Sequence, residues 1–270
     1  IVGVWWGERF LKQKIEEKIA TYNVLKYRQM NLSLLAGNVS FKDAEINLKW
    51  EEQAKSFTVL TPEIRVEGIG WRRLYFDKKL EIAAFHLQSP DVTVSDTPPD
   101  SLSQITEMPA DTGSSPIKVI ALKLHSVTLN GGCVEVFKGE NGLNEVPLVL
   151  ANDINLDFSG IGLNLQGDVM NSLVFENADL WLSYLAVNNS RSRHHFTLQQ
   201  FHLNKADSII EVVDLQLTPK EKPSVFFNQI PYKKAWLDLS LPSARLQGWQ
   251  FERLLDGTLA ARTLTMNGLD

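Results

Sequence analysis

The chain carries a single cysteine, Cys133, in 270 residues, so no disulfide framework and no thiolate zinc site can organise it. It lacks a Gly-x-Ser-x-Gly elbow, a Walker loop and a dinucleotide fingerprint, the spacings by which several common chemistries announce themselves. A basic cluster is missing too. The 27 Lys and Arg are interspersed among 32 Asp and Glu, for a net charge of −5, whereas duplex binding needs a basic face. No nucleic-acid partner is expected. What is present is a 44% apolar fraction beside 22% charged residues, which supplies a core and excludes general disorder. The length fits one large β domain or two ordinary ones.

The apolar residues recur in eight-residue segments with anchors at the first, third, sixth and eighth positions. Copies are Val39-Phe41-Ala44-Ile46, Leu80-Ile82-Phe85-Leu87, Ile117-Val119-Leu122-Leu124, Val149-Ala151-Ile154-Leu156, Leu173-Phe175-Ala178-Leu180, Phe196-Leu198-Phe201-Leu203, Ile210-Val212-Leu215-Leu217 and Leu259-Ala261-Leu264-Met266. Two weaker copies, Phe57-Val59-Pro62-Ile64 and Leu237-Leu239-Pro242-Ala244, put proline at the third anchor. Alternation marks a strand with one wet face, and the three-residue step shifts the phase as a bulge or kink would. Chance alone supplies roughly ten bare matches in a chain this apolar, so the polar residues between anchors (Ser40, Lys42, Asp43 and Glu45 in the first copy) carry more of the signal. An ordinary antiparallel sheet with one solvated face fits the periodicity equally well.

The amino terminus, Ile1-Val2-Gly3-Val4-Trp5-Trp6, is apolar, and charge begins at Glu8 and Arg9. Six residues cannot span a bilayer, but they fit the last turns of a membrane helix with Trp5 and Trp6 at headgroup level. A buried helix start is the other reading. Arg9, Lys12, Lys14 and Lys18 on the following flank count against a non-cytoplasmic placement. From Trp6 to Tyr22, Leu11, Ile15, Ile19 and Tyr22 form one apolar stripe of a helix. The texture is β thereafter. Gly37 reads as a turn, Trp71 to Lys78 as a polar connection, and Asn130-Gly131-Gly132 as a hairpin. Residues 95–116 hold four prolines and four acids without a base, a solvated loop composition read as an insertion in one sheet. The strand-like pattern of the last residues, from Leu259 to Asp270, reads as part of a longer chain.

Candidate reactive groups do not converge. His194 and His195 are adjacent and so point to opposite faces of a strand; His86 and His202 sit between apolar anchors, on the wet side. Asp153, Asp157, Asp168 and Asp179 lack calcium-loop spacing, and nothing brings Asp207 to Asp214. No metal, cofactor or catalytic residue is expected, and the chain reads as a non-enzyme.

The order of segments carries a resemblance. The amino-terminal helix is followed by a stretch from Tyr27 to Leu48 that contains Leu34-Leu35-Ala36-Gly37 and then Val39-Ser-Phe-Lys-Asp-Ala-Glu-Ile. Next come Leu80-Glu-Ile-Ala-Ala-Phe-His-Leu-Gln-Ser-Pro-Asp-Val-Thr-Val and, after the acidic loop, Ser115-Pro-Ile-Lys-Val-Ile-Ala-Leu-Lys-Leu-His-Ser-Val-Thr-Leu. Over residues 1 to about 137 this is similar to AsmA-like proteins, relatives of TamB and of the chorein-type bridge-like lipid transfer proteins. The resemblance implies an inner-membrane anchor, a periplasmic domain in a diderm bacterium, and a long curved antiparallel sheet whose open apolar groove holds phospholipid acyl chains.

The expected fold is therefore mainly β, a strongly curved antiparallel sheet forming a groove or half-barrel, with one amino-terminal helix. The expected divisions are 1–22 for the end of the anchor and its helix, 23–94 for the first part of the groove, 95–116 for the loop and 117–270 for its continuation. Phe41, Ile46, Ile82, Phe85, Leu87, Val119, Leu122, Leu124, Phe175 and Phe201 are expected to line the groove, and Trp5 and Trp6 to mark the membrane interface. The expected partners are phospholipid and the inner membrane. The competing reading is a structural or assembly protein of the envelope that recruits another protein at a strand edge.

Overall fold

The structure, a computed structural model, describes residues 8–10, 12–17, 19, 24–50, 55–96, 120–138, 146–164, 174–189, 192–228, 236–250, 253, 258 and 260–268. The described residues between 8 and 19 are helical and form α1. Fifteen strands follow in one sheet: β1 (Leu25–Lys26), β2 (Gln29–Ser33), β3 (Asn38–Trp50), β4 (Lys55–Glu67), β5 (Lys79–Gln88), β6 (Asp91–Asp96), β7 (Ala121–Val136), β8 (Val149–Asn164), β9 (Asn177–Leu182), β10 (Tyr184–Val187), β11 (His194–Leu198), β12 (Gln200–Asn204), β13 (Ile209–Pro219), β14 (Leu239–Gln247) and β15 (Thr263–Asn267). Two short helices interrupt them, α2 (Trp71–Asp77) and α3 (Pro223–Asn228).

Four pairs of strands share a lane. β1 and β2 both pair with β3 in one continuous register, β5 and β6 with β4, β9 and β10 with β8, and β11 and β12 with β13. The fifteen strands thus make eleven lanes that follow one another in chain order. Each is antiparallel to the next except one: β5 and β6 run parallel to β7. The sheet is mixed, not antiparallel throughout as the sequence suggested. A parallel neighbour requires the chain to return to the end from which it started, so β6 and β7 are joined by a crossover rather than a hairpin.

The lanes are broken at a common level. Asp43, in left-handed conformation (φ 49), lies opposite Pro62 between the pairs Lys42↔Glu63 and Ala44↔Thr61. Next along are Ser89 (φ 41) and Gly131 (φ 66). In β7 and β8 the register shifts on either side of Gly132, and Asp153 (φ 52) takes the break in β8. Ser183 separates β9 from β10 and donates from Oγ to Asp153 Oδ2 at 2.7 Å. Gln199 separates β11 from β12, and Asp214 (φ 50), Pro242 and Gly268 (φ 64) finish the series. A second line runs through Gly37, Gly68, Gly160, Ser208 and Gly248, all with φ between 52 and 68. The two lines stand about six residues apart, or ~20 Å along a strand. Left-handed backbone suits glycine and, among the others, short polar side chains, which is why Asp and Ser occupy these positions.

Two expectations about turns change. Asn130-Gly131-Gly132 is not a hairpin; β7 runs through it, and Gly131 supplies the break. Trp71 to Lys78 is not a plain polar connection. It forms α2, closed by left-handed Lys78 (φ 55), whose N–H donates to the Arg73 carbonyl.

The densest packing lies at the start of the sheet. Met30, Val39, Phe41, Ala44 and Ile64 are buried together, with Ile15 and Ile19 of α1 packed against them. Lys14 of the same helix pairs with Glu17 at 2.7 Å, an i,i+3 pair on the solvated side. Hydrogen bonds tie α1 to the start of the sheet: Lys12 Nζ donates to the Met30 carbonyl at 3.0 Å, and the Leu34 N–H donates to Glu8 Oε1 at 2.9 Å.

Candidate functional site

Cross-strand register puts the anchors on one face of the sheet. The longest row crosses all eleven lanes: Met30, Phe41, Ile64, Leu87, Leu129, Leu156, Leu180, Leu203, Ile210, Leu246 and Leu264. A second row runs Leu25, Ile46, Val59, Val92, Val134, Ala151, Leu185 and Leu198. A third runs Leu48, Phe57, Val94, Val136, Val149, Val187, Phe196, Leu217 and Leu239. No polar residue interrupts these three. With lanes ~4.8 Å apart, the face extends ~50 Å across the strands.

Coverage of that face is uneven. Under α1, Met30 is 2% exposed and Phe41 9%, whereas Leu264 is 56% exposed and Met266 50%. Between these ends most row residues are half-buried.

The residues expected to line a groove share this face where the structure describes them. Phe41, Ile46 and Leu87 stand in the rows above; Phe85 pairs with Val66 and Val127, Ile82 with Leu124, Leu122 with Leu163, and Phe201 with Val212 and Leu182. Phe175 precedes β9, and its ring centroid lies 5.4 Å from that of Phe158, with Lys205 Nζ 4.6 Å above it. Val119, Trp5 and Trp6 lie outside the described residues.

Three copies of the repeat are framed differently in the structure. Leu80-Ile82-Phe85-Leu87 is in register with Leu122-Leu124-Val127-Leu129, not with the copy that begins at Ile117. Val127 and Leu129, absent from the expected set, are the residues gained by sliding the template five positions. Pro62 and Pro242 are exposed and sit between anchors; their neighbours Thr61 (4% exposed) and Leu241 (7% exposed) are buried instead. Proline offers no N–H to a ladder, so it suits the break rather than the paired position beside it.

The opposite face is polar. One row reads Ser40, Arg65, His86, Thr128, Asp157, Asp179 and Asn204. A depression of about 160 Å³ on it is lined by Glu63, Arg65, His86, Gln88 and Asn130. Its groups have partners within or beside it: Arg65 Nη2 donates to Glu63 Oε2 at 2.8 Å, and His86 Nδ1 meets Thr128 Oγ1 at 2.5 Å.

His202 is less solvated than its position between anchors suggests. Trp181 stacks on its ring at 3.6 Å between centroids, Nε2 lies 2.9 Å from Asp179 Oδ1, and Nδ1 lies 3.5 Å from Glu211 Oε2. Arg245 Nη1 reaches Glu211 Oε1 at 2.5 Å, so these polar groups close on each other as a cross-strand ladder. His194 and His195 do diverge: His194 Nε2 accepts from the Leu237 N–H at 3.2 Å, and His195 Nδ1 meets Asn188 Oδ1 at 2.9 Å. Among the described residues no three His, Cys, Asp or Glu are grouped to hold a metal, and no helix is long and apolar enough to cross a membrane. The Cys133 thiol donates to Asn152 Oδ1 at 3.2 Å, and burial, followed by Asp91 and Glu135, pushes its pKa up.

What the arrangement offers chemically is a long apolar surface beside a self-paired polar one. Comparison with protein-family models and with curated protein sequences returns no match to this chain.

Proposed function

We propose that the chain holds or conducts glycerophospholipid on its apolar face, curled into an open trough, between the two membranes of a diderm envelope. The envelope placement rests on the AsmA-like resemblance. The observation that carries the lipid part is the row from Met30 to Leu264, uninterrupted by a polar side chain over ~50 Å. One leaflet's hydrocarbon is only ~15 Å deep, half of a ~30 Å core, so an acyl chain would find many equivalent positions along such a row. Each methylene removed from water contributes ~0.8 kcal/mol, which holds a tail firmly without fixing its place. The aligned breaks support the trough: strands that bend at one level fold their sheet along a line, and a bulge bends the strand that carries it. Headgroups stay in water, and no residue is asked to do covalent chemistry.

The experiment is lipid extraction from protein purified without detergent, followed by mass spectrometry. Wild type should carry phospholipid; Phe85→Asp with Leu122→Asp should lose most of it, while Gln216→Asp, at an exposed position, should keep it. Thermal melting separates lost binding from lost folding. A wild-type chain that folds and carries no lipid rejects the proposal.

The second reading, a non-enzymatic structural or assembly protein, is favoured by one observation. β15 pairs with β14 alone among the described strands, and all five of its residues are exposed. An unpaired edge recruits a strand through its backbone. Absence of lipid together with a stable protein partner would select it.

A further inference from the structure

We infer that α2 and the turns beside it form a docking surface for an anionic membrane, and that this end of the sheet is the one that meets the bilayer. Its use to a lipid trough rests on the reading above. Its geometry does not, so docking and lipid content can fail separately.

The observation is a concentration of exposed apolar side chains at one end. Six described large apolar residues are more than 60% exposed, and five lie there: Leu35 (83%), Phe76 (72%), Tyr75 (71%), Val174 (64%) and Phe10 (63%); only Val146 (77%) lies at the other end. The segments are tied together. Leu34 bonds to Glu8 of α1, the Ile69 N–H donates to the Gly37 carbonyl at 2.8 Å, and the Gly68 N–H donates to Asn38 Oδ1 at 3.1 Å. Further along, the Leu74 N–H donates to the Gly70 carbonyl, and the Ile120 N–H to the Lys78 carbonyl at 2.9 Å. Tyr75 and Phe76 stand edge to face, centroids 5.2 Å apart, at the last turn of a helix with no buried residue.

Charge identifies the occupant. Trp71 to Lys79 holds four bases, Arg72, Arg73, Lys78 and Lys79, against the single acid Asp77, in a chain of net charge −5. Arg73 also reaches Glu81 Oε2 at 2.5 Å, which leaves three bases not committed to that carboxylate. Aromatic residues flanked by Arg and Lys suit the headgroup layer, where rings enter the acyl boundary and cations meet phosphate. A protein groove would reward the aromatic pair equally but gives no reason for the local excess of positive charge.

The test is co-sedimentation of the 270-residue chain with phosphatidylethanolamine vesicles containing phosphatidylglycerol, and with phosphatidylcholine vesicles. Wild type should partition to the first and little to the second. Arg72→Gln/Lys78→Gln/Lys79→Gln should lower partition to anionic vesicles about a hundredfold at low salt, at about fivefold per base, the equivalent of ~1 kcal/mol each. Tyr75→Ser/Phe76→Ser should lower it at least about tenfold. Both sets change exposed positions, so the melting temperature should hold. To locate contact within the molecule, a polarity-sensitive dye is placed at Leu35→Cys or Val146→Cys in a Cys133→Ser background; vesicles should blue-shift the first and not the second. Unchanged partition in both variants, or a shift at Val146→Cys alone, overturns the inference whatever the lipid content. So does an aromatic pair that drives only self-association in sedimentation without vesicles.

Discussion

The first and last lanes of the sheet obey one strand grammar and meet different fates. In β2, β3 and β4, Met30, Phe41 and Ile64 occupy the long apolar row under α1 and are 2%, 9% and 5% exposed. In β15, Leu264 occupies the same row and is 56% exposed. Anchor spacing decides which face a residue takes; whether that face is dry depends on what lies over it. Apolar side chains near the helix therefore act as core, while those of the last lane form a surface of the kind that a lipid or a strand could cover; between them Leu198 and Leu241 are still buried.

The contrast is open to direct measurement by urea denaturation. Phe41→Ala should cost about 3–4 kcal/mol, the transfer and cavity terms of a packed ring, whereas Leu264→Ala should cost under ~1 kcal/mol. Comparable losses would show that the last lanes are as well covered as the first. The breaks sharpen the point. A Cβ added at Gly68 would lie 2.5 Å from Ala83 Cβ with φ 66, whereas one at Gly131, at the same φ, meets only Ser89 Oγ at 3.5 Å. Gly68→Ala should therefore destabilise by about 3 kcal/mol or more and Gly131→Ala by ~1 kcal/mol. At Asp214 (φ 50), Gly should be tolerated while Val costs about 1–2 kcal/mol. Hydrogen exchange needs no substitution: amides of β3 and β4 should exchange more slowly than those of β14 and β15, because opening the latter exposes less packed surface.

Much of this was legible in the sequence. The three-residue step located the breaks at Asp43, Asp153 and Asp214, because a phase shift in apolar alternation has a backbone cause. Frame was harder. Leu124 is followed by another acceptable template, so alternation alone could not choose between the copies starting at Ile117 and Leu122; the β5–β7 pairing chooses. The prolines misled because ring hydrophobicity resembles an anchor, while their missing N–H is what assigns them to the break. The parallel pairing left no local signal, since strand direction is set by where a connection returns. α2 was missed because Arg72 and Arg73 hide the spacing of Trp71 and Leu74. Nor does the pattern reveal coverage: Phe41 and Leu264 look alike until α1 is in place.

The smallest predicted effect lies where α2 meets the sheet. Glu81 of β5 accepts from His125 Nε2 of β7 at 2.8 Å and pairs with Arg73 of α2. The His125 hydrogen bond, and next the charges of Arg73, His125 and Lys123, hold its carboxyl below the usual carboxylate range. A depressed carboxylate stabilises the fold above its unfolded pKa, near 4.3, and that contribution is lost as pH falls through the lower folded value. Solvent screening at this partly exposed site limits it to ~0.5 kcal/mol. Glu81→Gln should therefore lower the urea midpoint slightly at pH 7, and the gap to wild type should close below about pH 4. A gap that persists undiminished at pH 3 would mean that Glu81 acts by packing α2 against β5 rather than by charge.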